Sequence, residues 1–273
     1  VFADGLVACT DLLVEDVHFR RSTASPADVG WKALAVNLSD LAAMGAVPRG
    51  ALVALTVGPG WSTDDLAAVY DGLGACADAY RCPIVGGDVS RGPSLALAVT
   101  VLGHAAVPLV RSGARPGDIL VVSGSLGGSE AGRHELERDA ATADPALAAR
   151  HRRPRPRFDA AALLAGTATA MLDVSDGVAS DARRLAESSG VRVVIDLDAL
   201  PIQPGVAEVA RERGVAPGAF AATGGEDYEL LATLPPVAVP EGVTVIGRIE
   251  AGAGVTFLGA GADGVVAGWD HLA

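Results

Sequence analysis

CPIVGGDVSRGPSLALAVTVLGHA, residues 82–105, decides the fold. Its second half alternates apolar and small or polar residues from Ser94 to Ala105, the period of a strand with one buried face. Its first half is a short apolar run, and the Gly86, Gly87, Asp88 corner is expected to separate the two. Upstream, TDDLAAVYDGLGACADAY (63–80) has helical spacing, with Asp64 and Asp65 near the end where carboxylates are favoured. ALVALTV (51–57) is a strand, and Pro26 begins a helix in which Val29, Leu34, Leu38, Leu41 and Met44 recur until Gly45 ends the pattern. LVACTDLLV (6–14) gives two short apolar runs around a polar knot at Thr10 and Asp11. The order β-α-β-α-β-β predicts a mixed sheet with helices on one face.

RSGARPGD (111–118) lacks an apolar period and is rich in Gly, Pro and Arg, so it predicts a boundary between residues 1–110 and 111–273. Beyond it, ILVVSG is a strand, SLGGSEAG a Gly-rich turn, PRFDAAALLAG a helix and AMLDVS a strand. SDGVASDARRLAESSG is a helix stopped by Gly190, and VRVVIDLDAL, the end of ATGGEDYELLATL, VTVIGRI and GVTFLG supply further strands. The Ala- and Arg-rich stretch up to about residue 157 gives no clear helical limits. Two α/β domains are expected, with the crevice between them as the ligand site.

The chain of 273 residues is 50% hydrophobic with only 4% aromatic, so its core is aliphatic. A net charge of −12 argues against nucleic acid or anionic membrane as partner. Cys9, Cys76 and Cys82 form no paired motif, and no long uncharged apolar run occurs, which predicts a cytoplasmic protein with reduced thiols. Lys32 is the sole lysine and no G-x-x-x-x-G-K-[ST] is present, which excludes a P-loop kinase.

Asp11, Asp40, Asp88, Asp173, Asp176 and Asp227 each adjoin an apolar run, a costly placement unless cations compensate them. Magnesium suits an all-oxygen set, and DVSD (173–176) places Asp173, Ser175 and Asp176 at a strand end and helix start. The five histidines are scattered without zinc spacing. SGSLGGSEAG (123–132) could either wrap a phosphate through its amides or form a tight turn. Arg111 and Arg115 could meet phosphate or remain solvated, and no serine has the surroundings of a nucleophile. In GGEDYELL (224–231), Glu226 and Asp227 are expected to project from a Gly turn toward a polar ligand, with Trp269 as a candidate ring for a cationic or aromatic group.

WKALAVNLSDLAAMGAVPRG, VGGDVSRGP, RSGARPGDILVVSGSLGGSEAG, LDVSDGVASD and ATGGEDYELL, in that order, closely resemble the thiamine-monophosphate kinase family. That family lies within the ATP-binding superfamily related to aminoimidazole ribonucleotide synthetase (PurM-like). The resemblance spans essentially the whole chain. It implies an α/β (α+β) two-domain fold: an N-terminal mixed sheet that pairs with that of a second subunit, and a larger C-terminal domain. ATP with several Mg2+ ions would bind between them, and a homodimer would phosphorylate thiamine monophosphate without a catalytic side chain. By motif it implies magnesium ligands at Thr10, Asp11, Asp40, Asp88, Asp173, Ser175 and Asp176. It implies nucleotide contacts at Gly86, Gly87, Arg111, Ser123, Gly124, Gly127, Gly128 and Ser175, and thiamine-side contacts at His18, Glu226, Asp227 and Trp269. The family's early G-D-D segment would precede Val1, and Leu272 replaces its usual aromatic. Rival expectations are a sister ATP-dependent synthetase acting on an amide oxygen or selenide, and a non-catalytic nucleotide-binding scaffold. Cys9 lacks the Gly-rich setting of the selenide enzymes, and the ending WDHLA lacks the cysteine of carbamoyl-modifying relatives.

Overall fold

Strand β1 (Leu6–Val14) pairs antiparallel with β4 (Ala96–His104), which pairs antiparallel with β2 (Val47–Val57), and β2 runs parallel to β3 (Ile84–Arg91). The four-stranded order is therefore β1-β4-β2-β3, a mixed sheet. Helices α1 (Pro26–Ala43) and α2 (Thr63–Tyr80) connect β1 to β2 and β2 to β3. The computed structural model describes residues 1–2, 4–236 and 239–265. Among these, no helix is long and apolar enough to cross a membrane.

Alternation determines which face of this sheet is covered. Val7, Leu13, Val53, Leu55, Leu97, Val99 and Val101 are buried, as are Leu34, Leu38 and Leu41 of α1 and Val69 and Leu73 of α2. On the opposite face Leu12 and Leu52 remain 52% and 42% exposed. The helices meet through small residues: a Cβ on Gly30 would stand 1.9 Å from the Val69 carbonyl oxygen, and one on Gly72 1.9 Å from that of Ala27. Ser62 caps α2 and Asp65 returns the favour, its carboxylate accepting the Ser62 N–H at 2.9 Å. Ser62 through Asp65 thus form a capping box, which satisfies two otherwise orphaned donors.

The chain divides into two units. The first comprises Val1–Ala42, Ala46–Pro108 and Arg152–Pro156; the second comprises Ala43–Gly45, Leu109–His151 and the chain from Arg157 onward. Within the first, the Arg152–Pro156 segment is held by Trp31, whose indole N–H donates to the Pro154 carbonyl at 2.9 Å, and by Asp28, which accepts from Arg153 at 2.5 Å.

The second unit contains β5 (Ile119–Ser123), α3 (Gly128–Asp139), α4 (Pro145–Arg152), α5 (Phe158–Leu164), β6 (Ala170–Asp173) and α6 (Val178–Ser189). It continues with β7 (Arg192–Asp196), α7 (Val206–Glu212), α8 (Pro217–Thr223), β8 (Leu230–Leu234), β9 (Val243–Glu250) and β10 (Gly254–Leu258). Its sheet order is β10-β7-β9-β5-β8-β6, with only the β10–β7 pair parallel. The main core joins Leu120, Val122, Val178, Leu185, Ile195 and Leu231. A smaller one joins Ala131, Leu147, Val206 and Phe220. Gly190, in the left-handed region at φ 67°, stops α6 where the sequence places its end.

Three local expectations change. The residues 6–14 form one strand, because each polar residue pairs in register with β4. Strand β2 begins at Val47, four residues before the apolar run. Gly86, Gly87 and Asp88 do not form a corner but lie inside β3, where a Cβ on Gly87 would stand 1.8 Å from the Val53 carbonyl oxygen. Gly87 therefore permits β3 to approach β2. We expect Gly87→Ala to destabilise the protein by about 3 kcal/mol, seen as a lower thermal midpoint. Gly86→Ala meets only a Leu52 methyl at 3.3 Å and should shift it far less.

Candidate functional site

Two acidic motifs separated by fifty residues are joined through their backbones. The Val174 N–H donates to the Glu229 carbonyl at 2.7 Å, Glu226 N–H to Ser175 at 2.8 Å, and Tyr228 N–H to Val174 at 2.8 Å. A Cβ at Gly225 would come 2.8 Å from the Ser175 carbonyl oxygen, so glycine is required for this approach. Glu226 and Tyr228, at φ 64° and 51°, both occupy the left-handed region on either side of Asp227. Each such residue costs about 1 kcal/mol or more, a cost that accumulates where a turn must aim its side chains.

Asp227 does not project outward. It is fully buried, accepting from the Gly127 N–H at 2.6 Å and the Ser129 N–H at 3.1 Å. Gly127, the N-cap of α3, has no side chain with which to cap, so Asp227 does it from across the chain. The Leu126 N–H is also used internally, on the Pro201 carbonyl at 2.7 Å. These three amides of the Gly-rich segment thus hold protein groups, and Asp227, expected to project toward a polar ligand, points inward instead. Burial raises the Asp227 carboxyl to about 6, although Arg150 and both amides pull it down.

Glu229 is equally buried. It accepts from the Ser123 hydroxyl at 2.6 Å and from Arg157 at 2.5 Å, and pairs with Arg150. The Leu230 N–H donates to Ser123 Oγ at 2.9 Å, so Ser123 joins the strand to the ion cluster. Gly124 packs directly on this carboxylate, and Gly128 packs on Gln203 and Arg150. Sequence reasoning missed Arg150, Arg157 and Glu229. Their charges lie in an apparently ordinary basic stretch and at a strand start, and only the tertiary fold joins them.

Beside this cluster, Asp173 and Asp181 are buried and Asp176 is half-buried. Arg184 donates to Asp181 at 2.6 Å and pairs with Asp176, whose N–H donates to Asp181 at 3.1 Å. Burial, then the neighbouring Asp173 charge, pushes the Asp181 carboxyl up to about 7 against the pull of Arg184. Asp173, Asp176 and Asp181 offer oxygen donors only, the donor chemistry that a hard divalent cation such as magnesium takes. Arg111 is exposed, its carbonyl accepting from Ser189 Oγ at 3.2 Å.

In the first unit, the Asp11 N–H donates at 2.9 Å to Asn37, a fully buried residue one helical turn before Asp40. Asn37 thus ties the β1 backbone at Asp11 to α1, three residues before Asp40, whereas Thr10 shares the opposite face of the sheet with Leu12. Thr10 Oγ1 donates to the Val99 carbonyl and accepts from Thr100, both at 3.1 Å. His18 Nδ1 accepts from the Val14 N–H at 3.1 Å, and its carbonyl accepts from Lys32 at 3.0 Å. Asp88 lies elsewhere: β1 and β3 are opposite edges of the sheet, about 14 Å apart at three strand spacings. Thr10 and Asp11 are not brought together with Asp88 within one chain. Among the described residues no three His, Cys, Asp or Glu side chains converge on a metal position. Trp269 lies outside the described residues.

Residues 2–105 match the AIR synthase related protein N-terminal domain, and residues 115–258 match the corresponding C-terminal domain. The two units therefore define the AIR synthase-related class, with a PurM-like fold. The thiamine-monophosphate kinase of Aquifex aeolicus is 37% identical over 272 residues, 98% of this chain and 88% of that protein. The Bacillus subtilis enzyme of that name is 38% identical over 84% of this chain and 72% of its own length. Among solved structures, AaThiL complexed with AMPPCP and TMP is similar at a TM-score of 0.91 and 37% identity, with 97% of this chain and 87% of that one covered. The chain belongs to the thiamine-monophosphate kinase family.

Glu130, in the first turn of α3 beside Gly224, provides a pH test of this region. Burial acts to raise its pKa, but Arg133 at 2.7 Å and His134 at 3.0 Å outweigh it and bring the carboxyl down from 4.5 to about 2. A depressed folded-state pKa contributes stability above the unfolded value that is lost as pH falls through the folded one. The Tm of the wild type should exceed that of Glu130→Gln at pH 7, and the gap should close between pH 4.5 and about 2 in acid titrations followed by calorimetry.

Proposed function

We propose that this chain transfers the γ-phosphoryl group of ATP to the phosphate of thiamine monophosphate, giving thiamine diphosphate and ADP. The observation that carries this reading is the backbone joining of DVSD to GGEDYE, which sets the acidic cluster suited to phosphoryl transfer against the turn suited to the acceptor. The acceptor phosphate, with a second pKa of about 6, is already largely ionised at neutral pH and needs no general base. Transfer is direct and in line, without a phosphoenzyme. Arg111 meets phosphate oxygens of the nucleotide, and Gly86 and Gly87 are nucleotide contacts as well. Glu226, with His18 and Trp269, receives the acceptor, the carboxylate and indole suiting the fixed positive charge of the thiamine ring. Asp227 acts from beneath by holding the start of α3.

Thr10, Asp11, Asp40, Asp88, Asp173, Ser175 and Asp176 would hold the magnesium ions. When bound, magnesium neutralises and aligns the two phosphate groups. With ATP, magnesium and thiamine monophosphate, chromatography against standards should find thiamine diphosphate and ADP in equal amounts, and a chelator should abolish both. ADP without thiamine diphosphate would reject the acceptor.

The active assembly is a homodimer in the cytoplasm. The separation of Asp88 from Thr10 and Asp11 supports a site to which two copies contribute acidic groups. The exposed Leu12 and Leu52 support association through the uncovered sheet face. Free, buried Cys76 and Cys82 accord with a reducing compartment. Light scattering across a dilution series should give twice the 27.4 kDa chain mass. A monomer at micromolar concentration would reject the dimer and leave the transferase reading intact.

A further inference from the structure

Ser129 and His151 form a polar cluster with Glu226, and of the three only Glu226 has a part in the reaction as described. Ser129 lies in the first turn of α3 and His151 in α4, 1% and 8% exposed, while the Glu226 side chain is 26% exposed. Ser129 Oγ stands 3.1 Å from His151 Nδ1, and Glu226 Oε2 stands 3.4 Å from the same nitrogen. Two oxygens on one ring nitrogen favour a proton on that nitrogen. If Nδ1 bore only a lone pair, the Ser129 hydroxyl could donate to it, but a carboxylate would face that lone pair at 3.4 Å. A proton on Nδ1 points toward both oxygens at once and removes the repulsion. The ring is therefore held from below by Ser129, whose own N–H is fixed by Asp227, and is presented to a carboxylate at the rim. Glu226 needs such a hold, because its backbone sits in the left-handed region at φ 64°.

We propose that His151 is a positioning residue: its Nδ1–H, backed by Ser129, orients the Glu226 carboxylate toward the positively charged ring of the acceptor and so sets affinity for that substrate. The inference rests on the reading that Glu226 meets thiamine monophosphate. His151 does not itself touch the substrate or the reacting oxygens. Its effect should thus fall on acceptor binding, with ATP binding much less affected.

The test uses two substitutions with opposite geometry. The Asn side chain places its NH2 near the position of Nδ1, whereas the longer Gln side chain reaches toward that of Nε2. His151→Gln should raise KM for thiamine monophosphate by about fivefold or more with less than a twofold change for ATP, and His151→Asn should recover most of the loss. A purely structural role would penalise Asn more, because it leaves the larger cavity, and that order would overturn the proposal. Thermal unfolding of each variant identifies loss of fold. Glu226→Gln should also raise the acceptor KM, and the double variant Glu226→Gln/His151→Gln should be no worse than Glu226→Gln alone. Additive effects, or no effect of Glu226→Gln, would overturn the link. Independently of any substrate, long-range 1H–15N spectra of 15N-histidine-labelled protein should show the His151 ring protonated at Nδ1. A neutral ring protonated only at Nε2 would overturn the proposal. If the wild type makes no thiamine diphosphate, the function reading fails on that product assay, and the spectrum still decides the His151–Glu226 contact.

Discussion

Two carboxylates without solvent exposure, Asp227 and Glu229, are the constraint around which the second unit is arranged. An isolated buried carboxylate costs several kcal/mol, so each must be surrounded by donors before the sheet can close over it. Asp227 finds them in the amides at the start of α3, and Glu229 in a serine hydroxyl and two guanidinium groups. The residue between them, Tyr228, and the one before, Glu226, adopt left-handed backbone so that consecutive side chains can point into different surroundings. Once these partners are committed, the Gly-rich segment has a defined path, and the turn that carries Glu226 is set against Ser175. Local strain at the turn is thus offset by contacts to three distant elements.

The same arrangement explains which parts of the molecule were legible in its sequence. Helix α2 and the end of α6 follow from local chemistry: a periodic apolar face, an acidic first turn, a glycine able to adopt φ 67°. The strand alternation in residues 96–104 identifies a half-buried strand because the period belongs to the strand itself. Asp173, Ser175 and Asp176 stood out for the same reason, since their spacing is local. Register and partnership are different in kind. Nothing near Asp88 states that β3 is the far edge of the sheet from β1, and nothing near Glu229 states that Arg150 and Arg157 are its counterions. Gly87 shows the ambiguity most directly: glycine beside aspartate signals close approach, but the group approached is the backbone of β2.

Asp227 illustrates a related limit. An acidic residue after two glycines has the chemistry of a ligand contact and also that of a distant helix cap, and the two are indistinguishable without knowing where α3 begins. The fold decides by filling the anion-favouring helix start with an anion of its own. Glu226, its immediate neighbour, keeps partial exposure, so one motif contains both a structural carboxylate and a candidate recognition carboxylate. Identical side-chain chemistry at adjacent positions is separated here by backbone conformation alone.

That division bears on how an acidic chain can handle phosphate. All but one of its 21 basic residues are arginine, and those near the acidic motifs are largely engaged: Arg150 and Arg157 on Glu229, Arg184 on Asp176 and Asp181, Arg133 on Glu130. Three amides of the Gly-rich segment are likewise occupied. A site that met two polyanions with protein cations would keep such groups available. This one instead commits guanidinium groups to internal carboxylates, and the proposed magnesium ions would supply the positive charge that those groups do not offer to phosphate. The acidic balance that argues against nucleic acid as a partner is thus compatible with a phosphorylated substrate, provided the substrate arrives with the metal that neutralises it.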